Sequence, residues 1–175
     1  MKSDVIAINN QSEGFEKAKE ETRKVADYKG LNDKQSLHLL LFTEEMLSMI
    51  RIISTDINAS FWIETEGNTV DLHLTTNLIL DAKKRAQLIN AATTRKNEAA
   101  KSLLGRIRDS FEQAMASEAT FSQPPYEIYP DIVGRNIDDP EWDEYECSVL
   151  RKLADNVKVS IVGSTVDMTV SKTFA

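Results

Sequence analysis

Two adjacent carboxylates, Glu44 and Glu45, lie in the apolar stretch LFTEEMLSMIR at residues 41–51. A positioned carboxylate can serve as a general base, and Glu44 is the candidate catalytic residue of this chain. The other interpretation is that both carboxylates form the solvated edge of a mostly buried helix. On a helix Glu45 lies about 100° from Glu44, so we expect Glu45 at the surface. A solvated or hydrogen-bonded carboxylate is the interpretation that we favour for Glu44.

Residues that could bind a metal ion are few. The chain has two histidines, His38 and His73, and one cysteine, Cys147. This set argues against a zinc site and leaves no partner for an internal disulfide. The acidic segment 138–146 lacks the glycine and the ligand spacing of an EF-hand loop, so a solvated loop is favoured there. We therefore expect no metal ion.

The overall charge limits the classes of partner. The 175 residues carry a formal net charge of −7, which argues against non-specific nucleic-acid binding because that binding depends on basic surface. The N-terminal stretch MKSDVIAINNQ is not a signal peptide, and no apolar run approaches the roughly 20 residues that span a bilayer. We expect a single-domain, cytoplasmic protein with no membrane partner.

The elements that position these residues begin with a short strand at residues 4–8. Ser12 is the N-cap candidate of a first helix, which ends at Gly30. Asn32 or Asp33 caps a second helix, which carries both glutamates. Apolar residues occur around most of this second helix, a pattern typical of a helix buried in the middle of a domain.

Two stretches with alternating apolar and polar residues predict antiparallel hairpins. The first occupies residues 60–76 around a Gly67-Asn68 turn, and the second occupies residues 157–170 around a Gly163-Ser164 turn. Alternation with period two is typical of a sheet that is covered on one face. Trp62 falls on the outward-facing row, where we expect either the chain's own loop or a partner protein to cover it.

The remaining segments complete the predicted architecture. Residues 81–92 and 95–117 are predicted helices, and the segment 118–146, which holds all four prolines of the chain, is predicted as an irregular loop insertion or lid. A short helix precedes the second hairpin. This order predicts an α+β fold, a two-layer sandwich in which helices cover one face of a mostly antiparallel mixed sheet.

The helix at 95–117 carries a basic run that could receive an anion or an acidic partner. Glu98, Asp109 and Glu112 are interleaved with the basic residues, so a solvated face of mixed charge is the favoured interpretation. The basic residues of this run are Arg95, Lys96, Lys101, Arg106 and Arg108.

Three segments resemble the histidine-kinase-like (GHKL) ATPase fold, and within it the bacterial anti-sigma factor serine kinases. Residues 15–51 resemble the two opening helices, residues 60–74 are similar to the central hairpin, and residues 150–174 resemble the closing helix and hairpin. Together these segments cover somewhat less than half of the chain. The resemblance implies a helix-covered sheet with an ATP-binding cleft.

The resemblance also implies positions for ATP and magnesium. Glu44 falls at the catalytic glutamate of the family, and Ser48 falls at the asparagine that holds magnesium, where a hydroxyl is a weak ligand. The Asp-x-Gly-x-Gly motif that receives adenine corresponds to residues 76–80, which begin with Thr76 and contain neither the aspartate nor the glycines. The Gly-x-Gly-type phosphate loop corresponds to residues 144–148, where two acids would repel the nucleotide.

Two hypotheses follow. The first is a bacterial regulatory protein on this scaffold that has lost ATP hydrolysis and needs no cofactor. It would act by binding another protein, such as a sigma-factor-like or anti-anti-sigma-like regulator. The alternative is an active Mg-ATP-dependent serine kinase or ATPase that uses Glu44 as base, with Ser48 and Thr76 at the nucleotide. A homodimer and a different small ligand stay open.

The first hypothesis predicts two features of the structure. The partner would bind the outer surface of the first two helices or the loop 118–146. The cleft between helix 33–53 and the sheet would be filled by Leu78, Leu80 and loop side chains.

Overall fold

The computed structural model describes residues 1–121 and 149–175. Most of the predicted loop 118–146 lies outside the described residues. The same holds for Cys147, for the acidic segment 138–146 and for the phosphate-loop position at residues 144–148.

The order of helices and strands follows the predicted order, and helical residues 149–153 precede the second hairpin. The elements are β1 (Ile6–Asn9), α1 (Ser12–Tyr28), α2 (Asp33–Ile53), β2 (Asn58–Glu66), β3 (Thr69–Asn77), α3 (Ala82–Ala91), a 3-10 helix (Glu98–Lys101), α4 (Leu103–Phe121), β4 (Asn156–Val162) and β5 (Thr165–Thr173).

The predicted helix 95–117 is wrong in its bounds. Arg95 has a positive φ of 51°, and Asn97 is extended and caps the 3-10 helix through its side chain. Helix α4 begins only at Leu103 and continues to Phe121, so residues 118–121 are helical rather than part of a loop. Residues 93–97 are not helical, and the first and last of them, Thr93 and Asn97, pair with the edge strand β4.

The five strands form one sheet in the order β1-β2-β3-β5-β4. All four pairings are antiparallel, so the described strands contain no parallel pair and the expected mixed sheet is not observed. Both predicted hairpins are present, with β2 paired to β3 and β4 paired to β5. The two hairpins join through β3 and β5, with Leu72 opposite Val170. The α+β class is confirmed.

One face of the sheet is buried and the other is polar. Strand residues alternate between the two faces, as the period of a β-strand requires. The buried face packs with α1, α2 and α3 in one hydrophobic core. The largest fully buried side chains of this core are Phe42, Phe61, Ile8, Leu39, Met46, Ile50, Ile63, Leu72, Leu74, Leu88, Leu150 and Ile161.

Helices α1 and α2 pack against each other and end in defined caps. Asn32 caps α2 as expected, in a reciprocal capping box with Gln35. Ser12 is not the N-cap of α1, because that position is Gln11 and it makes no side-chain cap. A buried hydrogen bond of 2.8 Å joins the hydroxyl groups of Thr22 on α1 and Thr43 on α2.

Candidate functional site

The candidate base Glu44 lies at the surface between α1 and α2. Its side chain is 49% exposed, and its Oε1 lies 3.7 Å from Nζ of Lys19. Lys19 also forms a closer ion pair, 2.8 Å long, with Glu16. Glu45, which we expected at the surface, is partly buried and less exposed than Glu44. Glu44 is therefore a solvated surface carboxylate with a cationic neighbour.

The two other residues of the predicted nucleotide site have different surroundings. Thr76 is buried, and its hydroxyl donates a 2.9 Å hydrogen bond to the backbone oxygen of Asn58 on the neighbouring strand. Ser48 is partly buried on α2. Within the residues that the structure describes, no hydrogen bond or ion pair links Glu44, Ser48 or Thr76 to one another.

The leucines that follow β3 belong to the core. Leu78 is buried, and its backbone N–H donates a 2.7 Å hydrogen bond to the carbonyl of Ser164. Leu80 is partly buried and packs against the same core, whereas Ile79 between them is exposed. Both leucines therefore pack in the hydrophobic core, and their place in the cleft between helix 33–53 and the sheet stays a prediction.

A second group of polar residues converges at the other edge of the sheet. Arg85 on α3 is buried, with a relative exposure of 4%. Its guanidinium pairs closely with Asp109 and lies 3.7 Å from Oε2 of Glu112, both on α4. A buried guanidinium requires such partners, because an unpaired charge in the interior is strongly destabilising. Arg85 therefore holds the acidic side of α4 against α3.

Asn97 joins this cluster to the edge strand β4. Its Nδ2 donates to the carbonyl of Ile161 at 2.9 Å, and its Oδ1 accepts from the N–H of Ile161 at 2.8 Å. Nδ2 also donates to Asp109. Thr93 also pairs with β4. Its backbone N–H donates to the Val157 carbonyl, and its hydroxyl accepts from the Val157 N–H. Asn97 and Thr93 thereby satisfy N–H and C=O groups of β4 that would otherwise have no hydrogen-bond partner at the edge of the sheet.

Helix α4 contacts the body of the protein through small and acidic residues. Glu112 accepts a 3.1 Å hydrogen bond from the N–H of Gly163 in the β4–β5 turn. Gly105 packs so closely that an added Cβ would overlap the carbonyl oxygen of Ala99. The side of α4 that faces inward therefore includes Gly105, Asp109 and Glu112.

An apolar stripe runs along the outer side of α4. Ile107, Phe111 and Met115 are 62%, 66% and 57% exposed. Their spacing of four residues places them along one side of the helix, away from Asp109. A surface helix normally buries its apolar side. Helix α4 exposes this apolar side instead, so we call it the inverted helix. We call these three residues the α4 stripe.

The charges around the α4 stripe are segregated. The five cations of the basic run are exposed. The acids interleaved with them have less exposed side chains and are paired: Glu98 with Lys101, and Asp109 and Glu112 with Arg85. The acids of this run are therefore less exposed than its cations, and the charges mix where Lys101 contacts Glu98 and Arg108 contacts Glu112.

The outer face of the sheet contains a stacked aromatic pair. The rings of Trp62 and His73 lie 5.0 Å apart at an interplanar angle of 7°, and Nζ of Lys2 lies 4.9 Å from the Trp62 ring centre. Trp62 faces outward as predicted and is covered by these two side chains. Burial lowers the pKa of His73, while the carboxylate of Glu64 opposes that shift.

Comparison with known proteins identifies no family. No protein-family model matches the chain, and no significant match is found among curated proteins. Among the described residues, no helix combines the length and the apolar character needed to cross a membrane. Residues 1–121 and 149–175 also contain no group of three or more His, Cys, Asp or Glu placed to hold a metal ion. The function is therefore inferred from the chain's own residues.

Proposed function

We propose that this chain is a bacterial regulatory protein that acts by binding another protein, on a scaffold like that of the anti-sigma factor kinases, and that it does not turn over ATP. The observation that carries the proposal is the α4 stripe. Three large apolar side chains that face solvent in a row are typical of a protein interaction site.

The order of the elements supports the proposed scaffold. Two opening helices, a central hairpin and a closing hairpin follow one another along the chain, as they do in the kinases that the sequence resembles. The two hairpins form one sheet with the opening helices packed against it.

The surroundings of the nucleotide-site positions support the absence of turnover. Glu44 has solvent and Lys19 as its neighbours, and the Thr76 hydroxyl is already bonded to a backbone carbonyl. Leu78, at the position of the first glycine of the family's adenine-binding motif, is packed in the core. A bound nucleotide would have to displace that side chain, at a cost of about 2 kcal/mol for its burial.

Calorimetric titration with Mg-ATP tests the loss of nucleotide chemistry. We expect no binding heat and no phosphate release from the wild type. Turnover that is lost in Glu44→Ala and kept in the neighbouring variant Glu45→Ala would contradict the proposal and favour an active kinase or ATPase. Matching thermal unfolding curves for the two variants would exclude misfolding as the cause.

Site-specific photo-cross-linking in bacterial cells tests the interaction. A photoreactive residue at Met115 should give a discrete adduct with one other protein. The same residue at Leu37, which is 62% exposed on α2, is the matched control. Equal adducts at the two positions, or none at Met115, would contradict an interaction through the α4 stripe. An adduct at Leu37 alone would favour the first two helices instead.

A further inference from the structure

We infer that the α4 stripe and the flanking Arg106 and Arg108 bind an acidic amphipathic helix of the partner protein. This inference rests on the proposed function and specifies the chemistry of its partner. It uses three observations: the direction of the stripe, the segregation of charge around it and its limited area.

The direction of the stripe favours a helical partner. Ile107, Phe111 and Met115 follow one another along the axis of α4, over eight steps of about 1.5 Å, or roughly 12 Å. Such a ridge packs against another helix that presents apolar residues at positions i, i+3 or i+4, and i+7. Two to three turns of a partner helix match this length.

The charges around the stripe favour acidic residues beside those apolar positions. Arg106 and Arg108 are exposed and lie about 100° from Ile107 on opposite sides of the helix, so both flank the Ile107 end of the stripe. From Phe111 Arg108 lies about 60° and Arg106 about 140° around the helix. Arg106 makes no ion pair within the described part of the chain, and Arg108 has only a 3.5 Å contact with Glu112. Complementary carboxylates on the partner would meet both guanidinium groups and orient the complex.

The same observations disfavour a second copy of this chain. A stable dimer buries about 800 Å² on each partner, and three side chains, each about two-thirds exposed, supply roughly half of that. In a two-fold contact the stripe of one copy would meet the stripe of the other, so the cations beside it would face each other. The acids that the structure describes on α4 pair with Arg85 on the inward side of the helix and would not offset this repulsion.

An anionic membrane is also disfavoured. The chain carries a net charge of −7, which opposes adsorption to a negatively charged surface of large extent. A short peptide meets only the local positive surface of α4, so the overall charge opposes it much less.

Selection from a random peptide library tests the inference without knowledge of the partner. Displayed 18-residue peptides are selected on the full-length wild type and counter-selected on Phe111→Ser. We expect the enriched peptides to carry apolar residues at i, i+3 or i+4 and i+7, with a net negative charge. Phe111→Ser should weaken an enriched peptide about 30-fold, as expected for a buried aromatic anchor. Arg106→Glu should weaken it about 5-fold, and more at low salt than at high salt.

Two matched variants control for the type of substitution. Leu37→Ser removes an equally exposed apolar side chain from α2, and Lys34→Glu makes the same charge reversal at the start of α2. Both should leave peptide affinity unchanged. Thermal unfolding curves that match the wild type would show that the α4 variants remain folded.

Three outcomes would overturn the inference. Enriched peptides without acidic residues, unaffected by Arg106→Glu, would refute the acidic partner while leaving an interaction through the stripe. Sedimentation that shows a dimer abolished by Phe111→Ser would identify a second copy as the occupant. Binding to phosphatidylglycerol vesicles that requires Phe111 would identify a membrane. The proposed function fails separately, if cross-linking at Met115 does not exceed that at Leu37.

Discussion

Asn97 pairs with Ile161 through both its amide oxygen and its amide nitrogen, at 2.8 and 2.9 Å. One side chain thereby contacts β4 as a residue of a sixth strand would. The same amide group also contacts Asp109, so one residue connects the edge of the sheet to α4.

Replacing Asn97 with alanine should destabilise the fold by about 2–3 kcal/mol. The N–H and C=O of Ile161 and the carboxylate of Asp109 would lose a buried partner, and unsatisfied buried groups are costly. Chemical denaturation measures the change. Asn90→Ala, at an exposed position on α3, should stay within about 0.5 kcal/mol of the wild type. Equal effects of the two substitutions would refute the role of Asn97 at the sheet edge.

Replacing Gly105 with alanine should also be destabilising, although alanine favours helices. The added Cβ would overlap the carbonyl oxygen of Ala99. Since both are tied to backbone, α4 has to shift, at a cost of about 1–3 kcal/mol. Ser110→Ala on the exposed side of the same helix should be neutral or slightly stabilising. A Gly105→Ala variant with raised stability would show that α4 does not pack against the 3-10 helix.

The buried hydroxyl pair between α1 and α2 should show strong coupling. The Thr22 and Thr43 hydroxyls lie within hydrogen-bonding distance of each other, and each also lies within reach of a carbonyl one turn earlier in its own helix. Because each hydroxyl has one proton, one of them donates to the other while the second donates to its carbonyl. Thr22→Val or Thr43→Val alone should cost about 1–2 kcal/mol, because the remaining hydroxyl loses its partner. The double variant should cost less than the sum of the two single variants. A double-mutant cycle by urea denaturation measures the coupling, and strict additivity would contradict the prediction.

The stack of His73 on Trp62 should make the fold sensitive to mild acid. Burial lowers the pKa of His73 in the folded chain, so the unfolded chain binds a proton first. This contribution to stability is fully present above the unfolded pKa of about 6.5 and is lost as the pH falls from there through the folded pKa. The charged groups that act on His73 are Glu64 and Asp71, which oppose the shift, and Lys2, which adds to it.

Two measurements check this prediction. An NMR titration of the folded protein should place the pKa of His73 below its ordinary value. Urea denaturation at pH 7.5 and pH 5 should show a smaller loss of stability on acidification for His73→Gln than for the wild type. A His73 pKa at or above the ordinary value would sink the prediction.

Local patterns in the sequence are sufficient for much of the fold. Both hairpins follow from apolar–polar alternation around Gly67 and Gly163, and each of these glycines has the positive φ that its turn requires. The Asn32 cap follows from a short-range signal of the same kind. These features were predictable because the chain within a few residues decides them.

The inverted helix was not predictable in this way. The spacing of Ile107, Phe111 and Met115 is visible in the sequence, but it is equally typical of a helix that buries its apolar side. Arg85 determines which side of α4 faces inward. It is 24 residues from Asp109 in the sequence and binds Asp109 in the fold. The spacing of these three residues would have been sufficient to place them on one side of a helix. It does not show whether that side is buried or exposed.

The sequence by itself determined the α+β class, the two hairpins and the outward position of Trp62, because period and turn chemistry act between near neighbours. Only the tertiary structure decided where the charges and apolar side chains of α4 point, and that Glu44 is a surface carboxylate beside Lys19. Those outcomes depend on which distant groups meet, since a buried guanidinium such as Arg85 must find its carboxylates wherever the chain brings them.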